Sequence, residues 1–94
     1  MSAWSIREMS PVDRQAMLES LASNLECYAE CAASEGNEAL EIVMMSVANA
    51  IHAVSADIAV NDIFLAEDVA AKAVSLLATF YSLYPDYQRR PTLH

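Results

Sequence analysis

Apolar residues recur along this chain in steps of three and four, the signature of helices that each bury one face. In the first third, Leu18, Leu21, Leu25, Tyr28 and Ala32 form a single stripe, while Glu19, Glu26 and Glu30 fall off it toward water. Ser10 suits an N-cap, Pro11 suits the first helical position, and Asp13 falls in the first turn, where the helix dipole favours an acid. Gly36, after Ser34 and Glu35, is a fitting C-terminal stop. These signals predict a first helix over 11–34.

A second seam follows at Leu40, Met44, Val47, Ile51, Val54 and Ile58, close to a heptad repeat. Asn37 is placed to cap it, and Asn61-Asp62 offers a break, so the second helix is expected over 37–60. The opposite face carries Glu38, Glu41, Met45, Asn49, His52 and Ala56. The third pattern holds two adjacent stripes. One is Val69, Ala73, Leu76, Phe80 and Leu83; the other is Ala70, Val74, Leu77, Tyr81 and Tyr84. Little charge is left for water on this helix, a pattern expected when more than one side is covered. Pro85 ends it, giving a third helix over 65–84.

Three helices with short connections predict a small antiparallel all-α bundle, with 1–94 forming a single helical domain. Residues 1–9, with Trp4, Ile6 and Met9, are expected to form an arm on the bundle. Residues 86–94 are expected to be a short extended, flexible tail.

Composition supports this layout. Gly36 is the one glycine, and Pro11, Pro85 and Pro91 lie near the two ends, so the interior is almost free of helix breakers. The longest uncharged run, Ile42 to Ala56, is shorter than the roughly 20 residues of a membrane span and contains Asn49 and His52. No membrane helix is expected. The segment from Met1 to Met9 includes Arg7 and Glu8 and lacks the form of a signal peptide. Two cysteines make no disulfide framework, and a cytoplasmic location is expected.

Charge narrows the function. The net charge is −8, and no lysine or arginine occurs between Arg14 and Lys72. A nucleic-acid binder needs a basic patch to neutralise phosphates, so direct nucleic-acid binding is not expected. The first hairpin would bring Glu26, Glu30, Glu35, Glu38 and Glu41 to one end of the molecule. A field of one sign steers a basic partner toward that end.

Candidate chemistry is sparse. Cys27 and Cys31 share a helix face, but zinc needs about four ligands, and only His52 and His94 remain as further soft donors. Packing is the expected role of both cysteines. One glycine cannot build a phosphate loop, and the serines form no pattern with a histidine. Glu26 and Glu30 lack the histidine partner of helical di-iron sites, and the acids lie on helices instead of in a calcium loop. No catalytic residue, metal site or cofactor is expected.

The remaining expectation is a non-enzymatic interaction module, an adaptor or regulator that binds another protein. A homodimer is expected through the second stripe of helix three, at Val74, Leu77, Tyr81 and Tyr84. The alternative is an acidic inhibitor or nucleic-acid mimic that blocks a basic nucleic-acid-binding protein. In composition, though in no motif, the chain is similar to phage anti-CRISPR and anti-restriction proteins.

Overall fold

The computed structural model describes residues 8–89 as an all-α bundle. Its main helices are α1 (Pro11–Ser34), α2 (Glu38–Asn61) and α3 (Ile63–Leu83), followed by a short α4 (Pro85–Arg89). No strand occurs among the described residues. Of the arm expected over 1–9, only Glu8 and Met9 are described, and the tail beyond 89 lies outside the described residues.

The ends of the helices follow from local chemistry. The Ser10 hydroxyl accepts from the Asp13 amide at 3.1 Å, ahead of Pro11. At the other end of α1, Gly36 adopts φ +82°, and the amides of Gly36 and Asn37 donate back to Ala33 O and Ala32 O. This paired return of hydrogen bonds satisfies carbonyls that the helix leaves without a donor. Asn37 then caps α2 by accepting from the Leu40 amide at 3.1 Å. Asp62 closes α2 with its own amide and opens α3 with its carboxylate, which accepts from Leu65 N at 2.9 Å. One residue therefore makes the whole α2–α3 turn.

Pro85–Arg89, expected to be extended, is helical instead. Proline at the first position sacrifices no helical hydrogen bond, and Asp86 sits at the positive end of the dipole. Burial stabilises this turn further, because the Tyr87 ring lies 5.1 Å from Phe80.

The core draws on all three long helices. α1 and α2 make the most extensive contact, and α3 packs against both. From α1 come Leu18, Leu21, Ala22, Leu25, Ala29 and Ala32; four of the five stripe residues are buried, Tyr28 is half-buried at the margin, and Ala22 and Ala29 join beside them. From α2 come Met44, Ala48, Ile51, Ser55, Ile58 and Ala59. This face is rotated from the predicted seam: Val54 is exposed and Val47 half-buried, while Ala48, Ser55 and Ala59 point inward. Helices that lie close need small residues at the contact, and the bulkier valines are displaced to its flank. From α3 come Ala66, Ala70, Ala73 and Phe80.

Arg14 is also buried, with 5% of its surface exposed. Its Nε donates to Ala59 O at 2.7 Å, and a terminal nitrogen donates to Met9 O at 2.6 Å. The last turn of α2 has no basic residue of its own. Arg14 of α1 supplies the cation that the negative end of α2 favours.

Phe80 is fully buried and meets the rings of Tyr28, Tyr84 and Tyr87 at 5.0–5.1 Å. Replacement by alanine should cost about 3–5 kcal/mol, a large part of the 5–15 kcal/mol typical of a small domain. Urea unfolding should show this as a lower midpoint. An unchanged midpoint would mean that the aromatic end does not hold the bundle together.

Candidate functional site

The densest polar cluster among the described side chains joins α1 to α2. Glu19 and Glu26 are seven residues apart, two turns along one face of α1, and His52 and Ser55 lie one turn apart on α2. His52 Nδ1 lies 2.5 Å from one Glu19 oxygen, and Ser55 Oγ donates to the other. On its far side, His52 Nε2 is 3.4 Å from Glu26. The imidazole thus sits between two carboxylates of the neighbouring helix. Sequence spacing gave no sign of this, because the partners are separated by 33 residues.

The electrostatics agree with the geometry. The hydrogen bond from Ser55, and then the one with His52, hold the Glu19 carboxyl below its ordinary value. The hydrogen bond to Glu19 raises the His52 pKa against a smaller opposing effect of burial, and the charges of Glu19 and Glu26 add to the rise.

Serine, histidine and a carboxylate together call for a test against nucleophilic catalysis. A triad needs the imidazole to accept the serine proton while a carboxylate orients the imidazole from behind. Here Ser55 donates to Glu19, and both ring nitrogens of His52 face carboxylates. Ser55 is also buried, with 1% of its surface exposed. The cluster is arranged as a clip between helices, with the imidazole held by carboxylates and the buried hydroxyl committed to Glu19.

The residues expected to form a dimer interface lie on the aromatic end of the bundle. Val74, Leu77, Tyr81 and Tyr84 are all half-buried and pack against the chain's own core. Tyr81 meets Tyr28 of α1 edge-on at 5.3 Å, and the Tyr84 hydroxyl accepts from the Asn37 side chain at 3.3 Å. Burial, helped by the hydrogen bond with Tyr28, pushes the Tyr81 phenol up to about 12. Much of the excess apolar surface of α3 is therefore covered within one chain by α1 and α4.

The two cysteines differ. Cys31 is half-buried and packs against the core, whereas Cys27 is exposed. No group of three or more potential metal ligands occurs among the described residues.

Of the five acids expected to meet a partner, Glu30, Glu35 and Glu38 are exposed, and Glu26 and Glu41 are half-buried. Two of the five already have contacts within the chain: Glu26 faces His52, and Glu35 accepts from the Tyr87 hydroxyl at 3.0 Å.

The most apolar exposed surface belongs to α2 and the start of α3. An open groove of about 290 Å³ runs between the two helices, lined by Val47, Ala50, Ile51, Val54, Val69 and Lys72. Near the α2–α3 turn, Val60 is 60% exposed and Phe64 71%. Sequence reasoning missed this surface because it assigned Val47 and Val54 to the core. The uncharged run Ile42–Ala56 was its signal. By length and composition α2 would pass for a membrane span, with a mean hydropathy of 1.5 over its most apolar 18 residues, a third of which are buried.

The clip makes stability depend on pH. His52, with its raised pKa, contributes stability that is complete below its ordinary value of 6.5 and is lost as pH rises through the raised value. Glu19, with its lowered pKa, contributes stability that is complete above its ordinary value of 4.5 and is lost as pH falls through the lowered value. From this cluster, thermal stability should be greatest between those two ordinary values. His52→Gln should remove the decline on the alkaline side. If melting temperatures of the wild type and His52→Gln run parallel from pH 5 to 9, the imidazole does not couple the helices. No protein family, curated protein or solved structure matches this chain.

Proposed function

We propose that this chain is a non-enzymatic interaction module, an adaptor or regulator that acts by binding another protein. The observation that carries this reading is the open apolar groove between α2 and α3. Its lining is aliphatic except for Lys72 and Ser46 at the margin, and the Lys72 ammonium pairs with Asp68 at 2.6 Å on the outer side of α3. A groove between two helices suits an apolar segment of a partner, whose burial would remove Val47, Val54 and Val69 from water. Reading the chain as non-enzymatic rests on the Glu19–His52–Ser55 geometry, which directs the imidazole at carboxylates and leaves the serine buried.

A second reading, an acidic inhibitor of a basic nucleic-acid-binding protein, is favoured by one observation. Glu30, Glu35 and Glu38 stand exposed around the α1–α2 turn, in a stretch of sequence without lysine or arginine.

Affinity capture of the partner from the source cell separates the two readings. Val54→Glu places a charge in the groove and should weaken capture at least tenfold, while added salt should change it little. Combined charge reversal at Glu30, Glu38 and Glu41 should leave capture intact. Capture that survives Val54→Glu, fails on charge reversal and declines steeply with salt would reject the groove and support the acidic inhibitor.

A further inference from the structure

The groove between α2 and α3 is one stretch of a longer apolar furrow. Residues three and four apart on a helix share a face. On α2, Val43 therefore continues the wall one turn before Val47, and Val54 follows Ala50. On α3, Leu65 precedes Val69 by one turn, Leu76 follows Lys72 by one turn, and Leu83 lies two turns further on. Val43, Val54, Leu65 and Leu83 are 42–53% exposed, so half of the large exposed hydrophobic residues of the described chain fall on these two walls. At a rise of about 1.5 Å per residue, the apolar wall is about 16 Å long on α2 and about 27 Å on α3.

Shape narrows the occupant. The groove of about 290 Å³ is open to solvent and lies just under the ~300–1,000 Å³ of pockets that enclose small molecules. A second copy would set one furrow against another, and two concave surfaces leave a void. A single helix is convex, and packed helices lie with their axes about 8–10 Å apart, so one helix laid over the furrow touches both walls. It would take the fourth place in the bundle and read the walls through apolar residues at i, i+3, i+4 and i+7.

Charge narrows it further. Asp57 lies one turn beyond Val54 on α2, Asp68 lies one turn before Lys72 on α3, and Asp62 makes the turn between the helices; all three are exposed. Asp57 accepts from the Asn61 side-chain amide at 2.7 Å, and Asp68 pairs with Lys72. This end of the furrow therefore holds three acids against one cation, on a chain of net charge −8. We infer that the furrow takes one amphipathic helix of a partner protein, apolar on the face it presents and carrying lysine or arginine at the end beside the α2–α3 turn. The inference rests on the partner-binding reading and names the chemistry of that partner.

Synthetic 18-residue peptides test it on the purified full chain. One has a leucine face and lysines at one end, the second has glutamates at that end, and the third has the composition of the first with its leucines scattered around the helix. The lysine-ended peptide should bind, gain helical circular dichroism on mixing, and exceed the other two in affinity at least fivefold at low salt. Val54→Glu should weaken it at least tenfold. Asp57→Asn with Asp68→Asn should cut its advantage over the glutamate-ended peptide at least threefold, and Glu30→Gln with Glu38→Gln, an equal change in net charge at the other end of the bundle, should change it less. Absence of binding at about 100 μM, binding without a gain of helix, binding indifferent to Val54→Glu, or equal effects of the two neutralised pairs overturns the inference. So does a dimer of the chain alone that Val54→Glu dissociates, which would give the furrow to a second copy. Partner capture that still depends on Val54 after any of these results would leave the partner-binding reading standing without this inference.

Discussion

Close approach of α1 and α2 through small side chains governs the rest of this bundle. Ala22 and Ala29 on one helix and Ala48 and Ala59 on the other are fully buried. Each removes little apolar area from water, but together they let the helices come close enough to bury Leu18, Leu25, Met44 and Ile51 almost completely. This contact also fixes the rotation of α2. Once the alanine face is turned inward, Val54 lies on the flank facing α3, and Ile42 and Val60 lie outside. α3 then rests against the pair through Ala66, Ala70, Ala73 and Phe80, and its smaller contact with α2 leaves the groove.

Two polar clips work on this hairpin from different places. Arg14 joins the start of α1 to the last turn of α2, with two short bonds to backbone carbonyls. A buried guanidinium is costly unless its donors are engaged, and here the dipole of α2 adds to the direct bonds. His52 with Glu19 and Glu26 fastens the middle of the hairpin nearer to solvent, so its contribution is modest and tunable by pH. Meanwhile Lys72 pairs with Asp68 on its own helix. Arg14 and Lys72, the basic residues that bound the long acidic stretch, are thus both engaged within the chain, and the field outside it stays negative.

Much of the fold was legible because helix ends are local. Ser10, Gly36, Asn37 and Asp62 act through neighbours within a few residues, and α1 fell on Pro11–Ser34 as expected. Rotation about a helix axis is not local. The valines of α2 are more apolar than its alanines, so hydrophobicity alone chose Val47 and Val54 for the core; the actual choice depended on how near α1 could lie. The same distance limit hid the site. Glu19 and His52 meet only after the hairpin closes, and no spacing rule connects residues so far apart. Helix α4 was hidden for another reason: a proline read as an ending also starts helices well, and the burial of Tyr87 decided between the two.

What remains is the chemistry of the exposed side of α2. Two environments can take up such a surface, lipid or protein. Lipid favours side chains that are apolar around the whole helix and leaves polar groups without partners. α2 departs from that pattern on its inner and outer faces. Ser46 and Asn49 lie on its outer face, His52 and Ser55 are bonded to a carboxylate of α1, and Asp57 lies near one end. The inner face of α2 is thus committed to α1, while Ile42, Val43, Val54 and Val60 on its other sides stay exposed to water.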